Sequence, residues 1–315
     1  MINVNWTGVY PALLTPFTAD DTIDFDMFRI NLDAQAEAGV DGVILCGSLG
    51  EASTLSQDEK IQLLVYTRRV LQDKLPVIMN IAEQSTRSAI DAAKAAEQNG
   101  ADGLMLLPPL RYKADDRETL AYFTAVASQS SLPIMIYNNP VDYGIMVSLD
   151  MFEQMRSLPT IQAVKESTRD VSNITRMINR FGNRYKILCG VDPLAMESLC
   201  MGADGWVAGL VDAFPRETVA VYRLIKAGQF EEALKIYRWF LPLLELDVHP
   251  KLIQNIKLAA TATGIGSETV RAPRLRLEGE ERKMVMQIIE ESLRTRPVLP
   301  EYYSLKLAEH DTETV

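Results

Sequence analysis

Histidine is almost missing from this chain: His249 and His310 are the only two among 315 residues. There is accordingly no His-rich ligand set for a metal, and neither a dinucleotide fingerprint nor a Walker-type loop is present, so the sequence calls for no cofactor. Cysteine is nearly as scarce. Cys46, Cys189 and Cys200 lie in apolar surroundings without CxxC spacing, which excludes a disulfide framework and makes a reducing cytoplasm the natural compartment. The amino terminus has no basic n-region or apolar h-region, and no run approaches a bilayer span. Positive charge is also short. With a net charge of -10 and Arg and Lys scattered, neither nucleic acid nor an acidic membrane surface is favoured as a partner. The cluster Arg111, Lys113 and Arg117 reads as a solvated loop.

What is present is apolar material in a regular beat. Hydrophobic residues make up 47% of the chain, enough for a large core. Short apolar runs begin at Gly8, Gly42, Val77, Gly103, Ile134, Ile161, Lys186 and Gly205, separated by helical patterns such as Phe25 to Ala38, Gln57 to Gln72, Arg87 to Asn99 and Asp170 to Phe181. Eight such βα units predict an α/β fold of the (β/α)8 TIM barrel type over residues 1–225. Further amphipathic patterns near Phe230 to Leu246, Lys251 to Thr263 and Glu280 to Arg296 predict a C-terminal helical appendage over 226–308, with 309–315 as a frayed tail. Three turns share one chemistry: Ala38-Gly-Val-Asp-Gly42, Asn99-Gly-Ala-Asp-Gly103 and Met201-Gly-Ala-Asp-Gly205 each place Gly after a helix and Asp-Gly before a strand. That repeat reads as architecture.

Barrel enzymes keep their chemistry at the carboxyl ends of the strands. Strand six ends in Ile161-Gln-Ala-Val-Lys165, an ammonium at the end of a buried run, where desolvation lowers its pKa towards a nucleophilic amine. Strand five ends in Tyr137, a candidate proton carrier beside it, and the pair points to Schiff-base chemistry. Strand two ends in Gly47-Ser-Leu-Gly-Glu51, whose backbone amides and Ser48 hydroxyl suit a carboxylate. Each also has a plainer reading: a strand-end lysine paired with Glu166, a core tyrosine, an ordinary Gly-rich turn. Asp192 and Asp212 lie near strand ends where they could face the pocket, but Asp at a helix start is commonly an N-cap, and His249 reads as a packed or capping residue.

Taken together, Gly47-Ser-Leu-Gly-Glu51, Tyr137-Asn-Asn-Pro140, Val164-Lys-Glu-Ser167 and Gly190-Val-Asp192 resemble the dihydrodipicolinate synthase and N-acetylneuraminate lyase family over nearly the whole chain. The resemblance implies that Lys165 is the Schiff-base lysine, Tyr137 the acid/base and Ser48 its hydroxyl partner. It implies further that the amides of Ser48 and Leu49 hold the carboxylate of a 2-oxo acid, that Gly190 lines the site, and that the assembly is a homotetramer built as a dimer of dimers.

Two departures bear on the reaction. Synthase members carry a second hydroxyl residue where this chain has Leu49, and an arginine where it has Asp142, so dihydrodipicolinate synthesis is disfavoured. The resemblance also implies an aromatic residue lent to the proton relay by a neighbouring subunit; its position aligns with Leu110, which is not aromatic, with Tyr112 close by. Tyr137 to Gly144, Gly205 to Pro215 and Tyr237 to Asp247 are most similar to the 1-pyrroline-4-hydroxy-2-carboxylate deaminases, which implies a small hydroxylated 2-oxo or cyclic 2-imino acid as substrate. A 2-keto-3-deoxy sugar acid aldolase or dehydratase, and a catalytically silent barrel that binds a 2-oxo acid, stay open as alternatives.

Overall fold

The computed structural model describes residues 2–109 and 111–305; Leu110, His310 and the expected tail at 309–315 lie outside the described residues. Eight strands form one parallel sheet: β1 (Gly8–Pro11), β2 (Val43–Leu45), β3 (Val77–Ile81), β4 (Gly103–Leu106), β5 (Ile134–Asn138), β6 (Ile161–Glu166), β7 (Lys186–Cys189) and β8 (Gly205–Ala208). Successive strands pair from β2 through to β8, and β8 pairs with β1. A single parallel bridge, Ala12 with Ile44, joins β1 to β2 and brings the sheet round to a nearly closed (β/α)8 TIM barrel. The first strand is shorter than the apolar run Gly8 to Leu14. Beyond Pro11 the backbone divides its bonds, Ala12 N donating to Ala208 O at 3.0 Å and Leu13 N to Ile44 O at 3.0 Å, so one residue serves each neighbour.

Helices fill the outside in alternation: α1 (Phe25–Ala38), α2 (Gln57–Leu71), α3 (Thr86–Gln98), α4 (Asp116–Ala127), α5 (Pro140–Tyr143), α6 (Leu149–Gln154), α7 (Ser172–Phe181), α8 (Ala195–Cys200) and α9 (Pro215–Lys226). Their starts are written locally. Ser56 with Glu59 and Asp115 with Glu118 form reciprocal capping boxes that satisfy orphan amides at the heads of α2 and α4. Three more helices follow: α10 (Phe230–Leu244), α11 (Leu252–Ala262) and α12 (Gly279–Arg294), within two residues of the amphipathic patterns. Among the described residues no helix is long and apolar enough to cross a membrane.

The Gly-x-Asp-Gly repeat has a physical role in closing this architecture. Asp41 accepts from Val9 N at 2.9 Å, Asp102 from Val77 N at 2.9 Å and Asp204 from Ile187 N at 2.8 Å. Each carboxylate reaches sideways from the head of one strand to a neighbouring strand's amide, where the ladder alone would leave a donor unmet. The barrel is thereby tied at the end opposite the chemistry.

Side chains at the other end do not point freely into solvent. Lys257 of α11 runs inward, donating from Nζ to Glu51 Oε1 at 2.5 Å, Thr15 O at 2.7 Å and Thr269 O at 2.7 Å, with both charged groups fully buried. Arg271 adds bonds to Asp21, Thr54 and Glu59 while its guanidinium lies 4.3 Å from the Phe17 ring centre. The C-terminal helices are therefore keyed into the loops after strands one and two.

Candidate active site

Alternation along β6 decides where its two charged residues go. Lys165 and Glu166 are consecutive, so they face opposite sides of the strand. Glu166 accepts from Asn138 Nδ2, Thr168 N and Asn173 Nδ2, which leaves Lys165 unpaired with it and removes the strand-end ion pair as a reading. Lys165 faces inward. In the β5–β6 register it stands opposite Tyr137, and its Nζ lies 4.2 Å from the centre of the Tyr137 ring. Burial lowers the Lys165 pKa, and the negative charge of Asp247 opposes that shift. Burial likewise pushes the Tyr137 phenol upward, so it stays protonated across the working range.

Both side chains line a cavity of about 880 Å³, which Ser48, Leu49 and Gly190 also line. All five residues singled out by sequence are thus brought to one place. Gly190 owes its identity to a close approach: a Cβ there would fall 2.6 Å from both Cγ and Cε of Lys165 and 2.2 Å from Ser167 Oγ. Only glycine leaves the lysine its path into the cavity. Ser167 Oγ is buried without a hydrogen-bond partner among the described residues. Around the strand-two loop, Cys46 and Glu51 both take left-handed backbone angles, and Gly50 packs where a Cβ would lie 2.7 Å from Leu13 O. Glu51 is held there by Lys257, so α11 fixes the loop that carries Ser48 and Leu49.

One expected contact is replaced by another. Ser48 Oγ hydrogen-bonds the hydroxyl of Tyr143 instead of Tyr137, because α5 folds the chain back across the cavity and sets Tyr143 between them. The Tyr137 and Tyr143 rings meet edge to face with centres 5.6 Å apart. Asn139 organises the group: its Oδ1 accepts from Asp142 N, capping α5, while its Nδ2 donates to Tyr137 OH at 3.1 Å and to Asp142 Oδ2 at 2.7 Å. The Asn139-Pro140 pair was the available sign, since Asn at an N-cap and Pro at the first helical position announce a helical turn.

Asp247 was also missed. It lies on a turn after α10 that crosses the barrel mouth, and it joins Asp142, Arg169, His249 and Arg274 on the cavity wall. Nothing in its sequence setting announces an approach that depends on the path of the whole C-terminal segment.

The remaining candidates are structural. Asp192 is buried beneath β8, accepting from Trp206 Nε1 at 2.9 Å and Leu210 N at 2.7 Å, and Asp212 accepts from Leu14 N at 3.2 Å. Neither caps a helix through its side chain as expected; both stitch loops at the strand ends. His249 Nδ1 accepts from Lys251 N at 3.1 Å, in keeping with the capping reading. Burial drives the Cys46 and Cys189 thiols up to about 12, which leaves both unreactive.

Against this geometry the comparisons agree on one family. The pattern of the "Dihydrodipicolinate synthetase family" matches residues 5–292. The chain is 32% identical over 294 residues to a 4-hydroxy-tetrahydrodipicolinate synthase of Leptospira biflexa, covering 91% of this chain and 99% of that one. It is 30% identical to the enzyme of the same name from Haloarcula marismortui, covering 89% of this chain and 92% of that one. Among solved structures, a dihydrodipicolinate synthase of Bacillus anthracis superposes with a TM-score of 0.87 at 26% identity, covering 92% of this chain and 99% of that one. The chloride-inhibited enzyme of Acinetobacter baumannii complexed with pyruvate gives 0.87 at 25% identity, covering 91% and 99%. The chain belongs to the dihydrodipicolinate synthetase family and is a Schiff-base lyase of that family.

Proposed function

We propose that Lys165 forms the Schiff base and that the substrate is a small hydroxylated 2-oxo or cyclic 2-imino acid, with deamination of 1-pyrroline-4-hydroxy-2-carboxylate as the best-supported reaction. The carrying observation is the Lys165 amine over the Tyr137 ring, inside a cavity whose wall includes the carboxylate of Asp142. An acid at that position, with Asp247 nearby, disfavours a second carboxylate on the substrate there. Apolar Leu49, buried in the cavity wall, suits a ring or methylene edge, and the Ser48 and Leu49 amides suit the single carboxylate. The pyruvate bound to the related Acinetobacter enzyme shares only the 2-oxo acid part of this class.

In this reading Lys165 attacks C2 of the cyclic imine and the ring C–N bond opens, leaving an iminium at C2 and a free amine on C5. The iminium acidifies C3. Loss of the C3 proton and the C4 hydroxyl expels water, with Tyr137 carrying protons. Tautomerisation makes an imine at C5; two waters then hydrolyse the C2 and C5 imines. One water is consumed overall, and ammonia and 2-oxoglutarate semialdehyde leave. The iminium is the electron sink, so the scheme uses no cofactor.

The names of the curated relatives favour a second reading, 4-hydroxy-tetrahydrodipicolinate synthesis. Three assays separate the possibilities. Ammonia release from the hydroxylated pyrroline carboxylate supports deamination; pyruvate release from keto-deoxy sugar acids supports an aldolase; condensation of pyruvate with aspartate semialdehyde supports the synthase. Borohydride reduction in the presence of substrate, with the adduct located by mass, tests the shared step: an adduct elsewhere than Lys165 removes the scheme. Tyr137→Phe is expected to slow turnover by roughly 10²- to 10⁴-fold without loss of fold; normal turnover would take Tyr137 out of the mechanism. We expect a homotetramer in the cytoplasm, the assembly being checked by light scattering.

A further inference from the structure

Asp247 reaches the cavity from a part of the chain that no strand-end motif covers. It lies on the turn Glu245–Val248 between α10 and α11, and shares the cavity wall with Lys165. The side chain rests on Gly209, where a Cβ would lie 2.4 Å from Asp247 Oδ1. Gly209 is thus to Asp247 what Gly190 is to Lys165: a position kept bare so that a reactive group can enter the cavity.

The charged groups around it set its protonation. Burial, and after it the negative charge of Asp192, push the Asp247 carboxyl well above the ordinary carboxylate range; Lys165 pulls it down and Asp142 adds a smaller upward push. Tyr137 and Asp212 also face it closely enough to feel its charge. Burial disfavours the charged form of Lys165 as well, so both groups across the cavity are pushed towards neutrality.

We propose that Asp247 is the acid that protonates the group leaving C2 as Lys165 forms its iminium, and that the carboxylate so produced stabilises the iminium. The inference rests on the reading of Lys165 as the Schiff-base lysine. With a 2-oxo acid, the Lys165 amine adds to C2 and one of its protons passes to the oxygen; the C–O bond then breaks, the Asp247 proton joins the departing hydroxide, and water leaves. With a cyclic imine, the same proton joins the ring nitrogen as the C2–N bond breaks and the amine is freed. In both cases one carboxylic acid becomes one carboxylate, one neutral amine becomes one iminium, and charge is conserved. A carboxyl suits this step better than the Tyr137 phenol, which burial makes a still weaker acid. The forming iminium itself lowers the affinity of Asp247 for its proton, so release is timed to the step.

The test measures the rate of pyruvate adduct formation at Lys165, by rapid borohydride quench and mass analysis, in wild type, Asp247→Asn and Asp247→Ala. Asp247→Asn is expected to slow adduct formation by roughly 10²-fold or more. It should also abolish the decline in rate that wild type shows as pH rises and Asp247 loses its proton. The rising limb should stay in place, because on it Asp247 is uncharged in wild type as well. A variant within threefold of wild type and with an unchanged pH profile overturns the inference. Should Asp247→Asn fail to fold, judged by its thermal melt, Asp247→Ala decides: acceleration by added formate supports a missing acid, and no acceleration overturns it. Failure of wild type to form any adduct at Lys165 would instead defeat the Schiff-base reading on which all this stands.

Discussion

Lys165 and Lys257 are both buried ammonium side chains, set in two regions that differ in what surrounds the charge. Lys257 sits where α11 meets the loops after strands one and two, and its Nζ is met by the Glu51 carboxylate and two carbonyls. Burial lowers its pKa to about 8, against the pull of Glu51. Lys165 has only an aromatic face at 4.2 Å and, among the described residues, no acceptor for its protons. Burial alone does not distinguish a reactive lysine from a structural one; the presence of satisfied partners does. A charge that is fully compensated holds the molecule together. One that is left uncompensated beside a cavity is held towards its neutral, nucleophilic form.

The largest expected effect breaks the comparison at its reactive end. Lys165→Met should abolish the borohydride-trapped adduct and reduce turnover by roughly 10⁴- to 10⁶-fold, the range seen when a nucleophile is removed. The thermal melt should hold or improve, since an apolar chain replaces an unsatisfied amine. A large loss of stability would mean that Lys165, like Lys257, is structural.

Lys257→Met is expected to do the reverse. It takes from the buried Glu51 carboxylate its nearest cation, leaving only the Arg271 amide and Arg274 at 3.5 Å, which should cost about 3–5 kcal/mol in urea denaturation. Adding Glu51→Gln should recover much of that, because the stranded charge and not the missing bond is the main penalty. Folded variant should still form the Lys165 adduct, with weakened substrate binding, since Glu51 closes the loop that carries Ser48 and Leu49. Loss of the adduct in well-folded protein would show that the two lysines are not separable.

What could be read from sequence divides along the same line. Lys165, Tyr137 and the Gly47 to Glu51 loop stand at strand ends, and a barrel's periodicity says where strand ends face. Lys257 shows no such sign: in an amphipathic helix a lysine reads as surface, and its partner is 206 residues away. Asp247 is hidden for the same reason, because a turn between helices has no repeat from which its direction follows. Tyr143 is an intermediate case, displaced into the site by a one-turn helix whose Asn-Pro start was visible but whose fold back over Tyr137 was not. Local periodicity discloses orientation within an element, whereas the approach of distant elements depends on packing that no single stretch records.

Gly190→Ala should have a smaller but sharper effect. The added methyl collides with Lys165 Cγ and Cε, so the amine must swing away from its place over Tyr137. A displacement of that size is expected to slow adduct formation by roughly 10²-fold. The ammonium, pushed towards water, should also recover a more ordinary pKa, so the pH at which the rate rises should move upward. An unchanged profile would mean that the lysine's reactivity does not depend on the path that Gly190 leaves open.

The smallest effect tests whether the Lys165 region is wet in the way the Lys257 region is dry. Ser48→Ala removes the hydroxyl that bonds Tyr143, at a position exposed to the cavity. Water can take that place, so the loss should be no more than an ordinary hydrogen bond, about 0.5–1.5 kcal/mol, or roughly a 2- to 12-fold fall in kcat/KM. At the closed site no water can substitute, which is why the Lys257 variant is expected to cost several times more. A Ser48→Ala effect as large as that of Tyr137→Phe would place the Ser48 hydroxyl in the proton path itself, and would make the Tyr143 contact a link in a relay from Tyr137 to the strand-two loop.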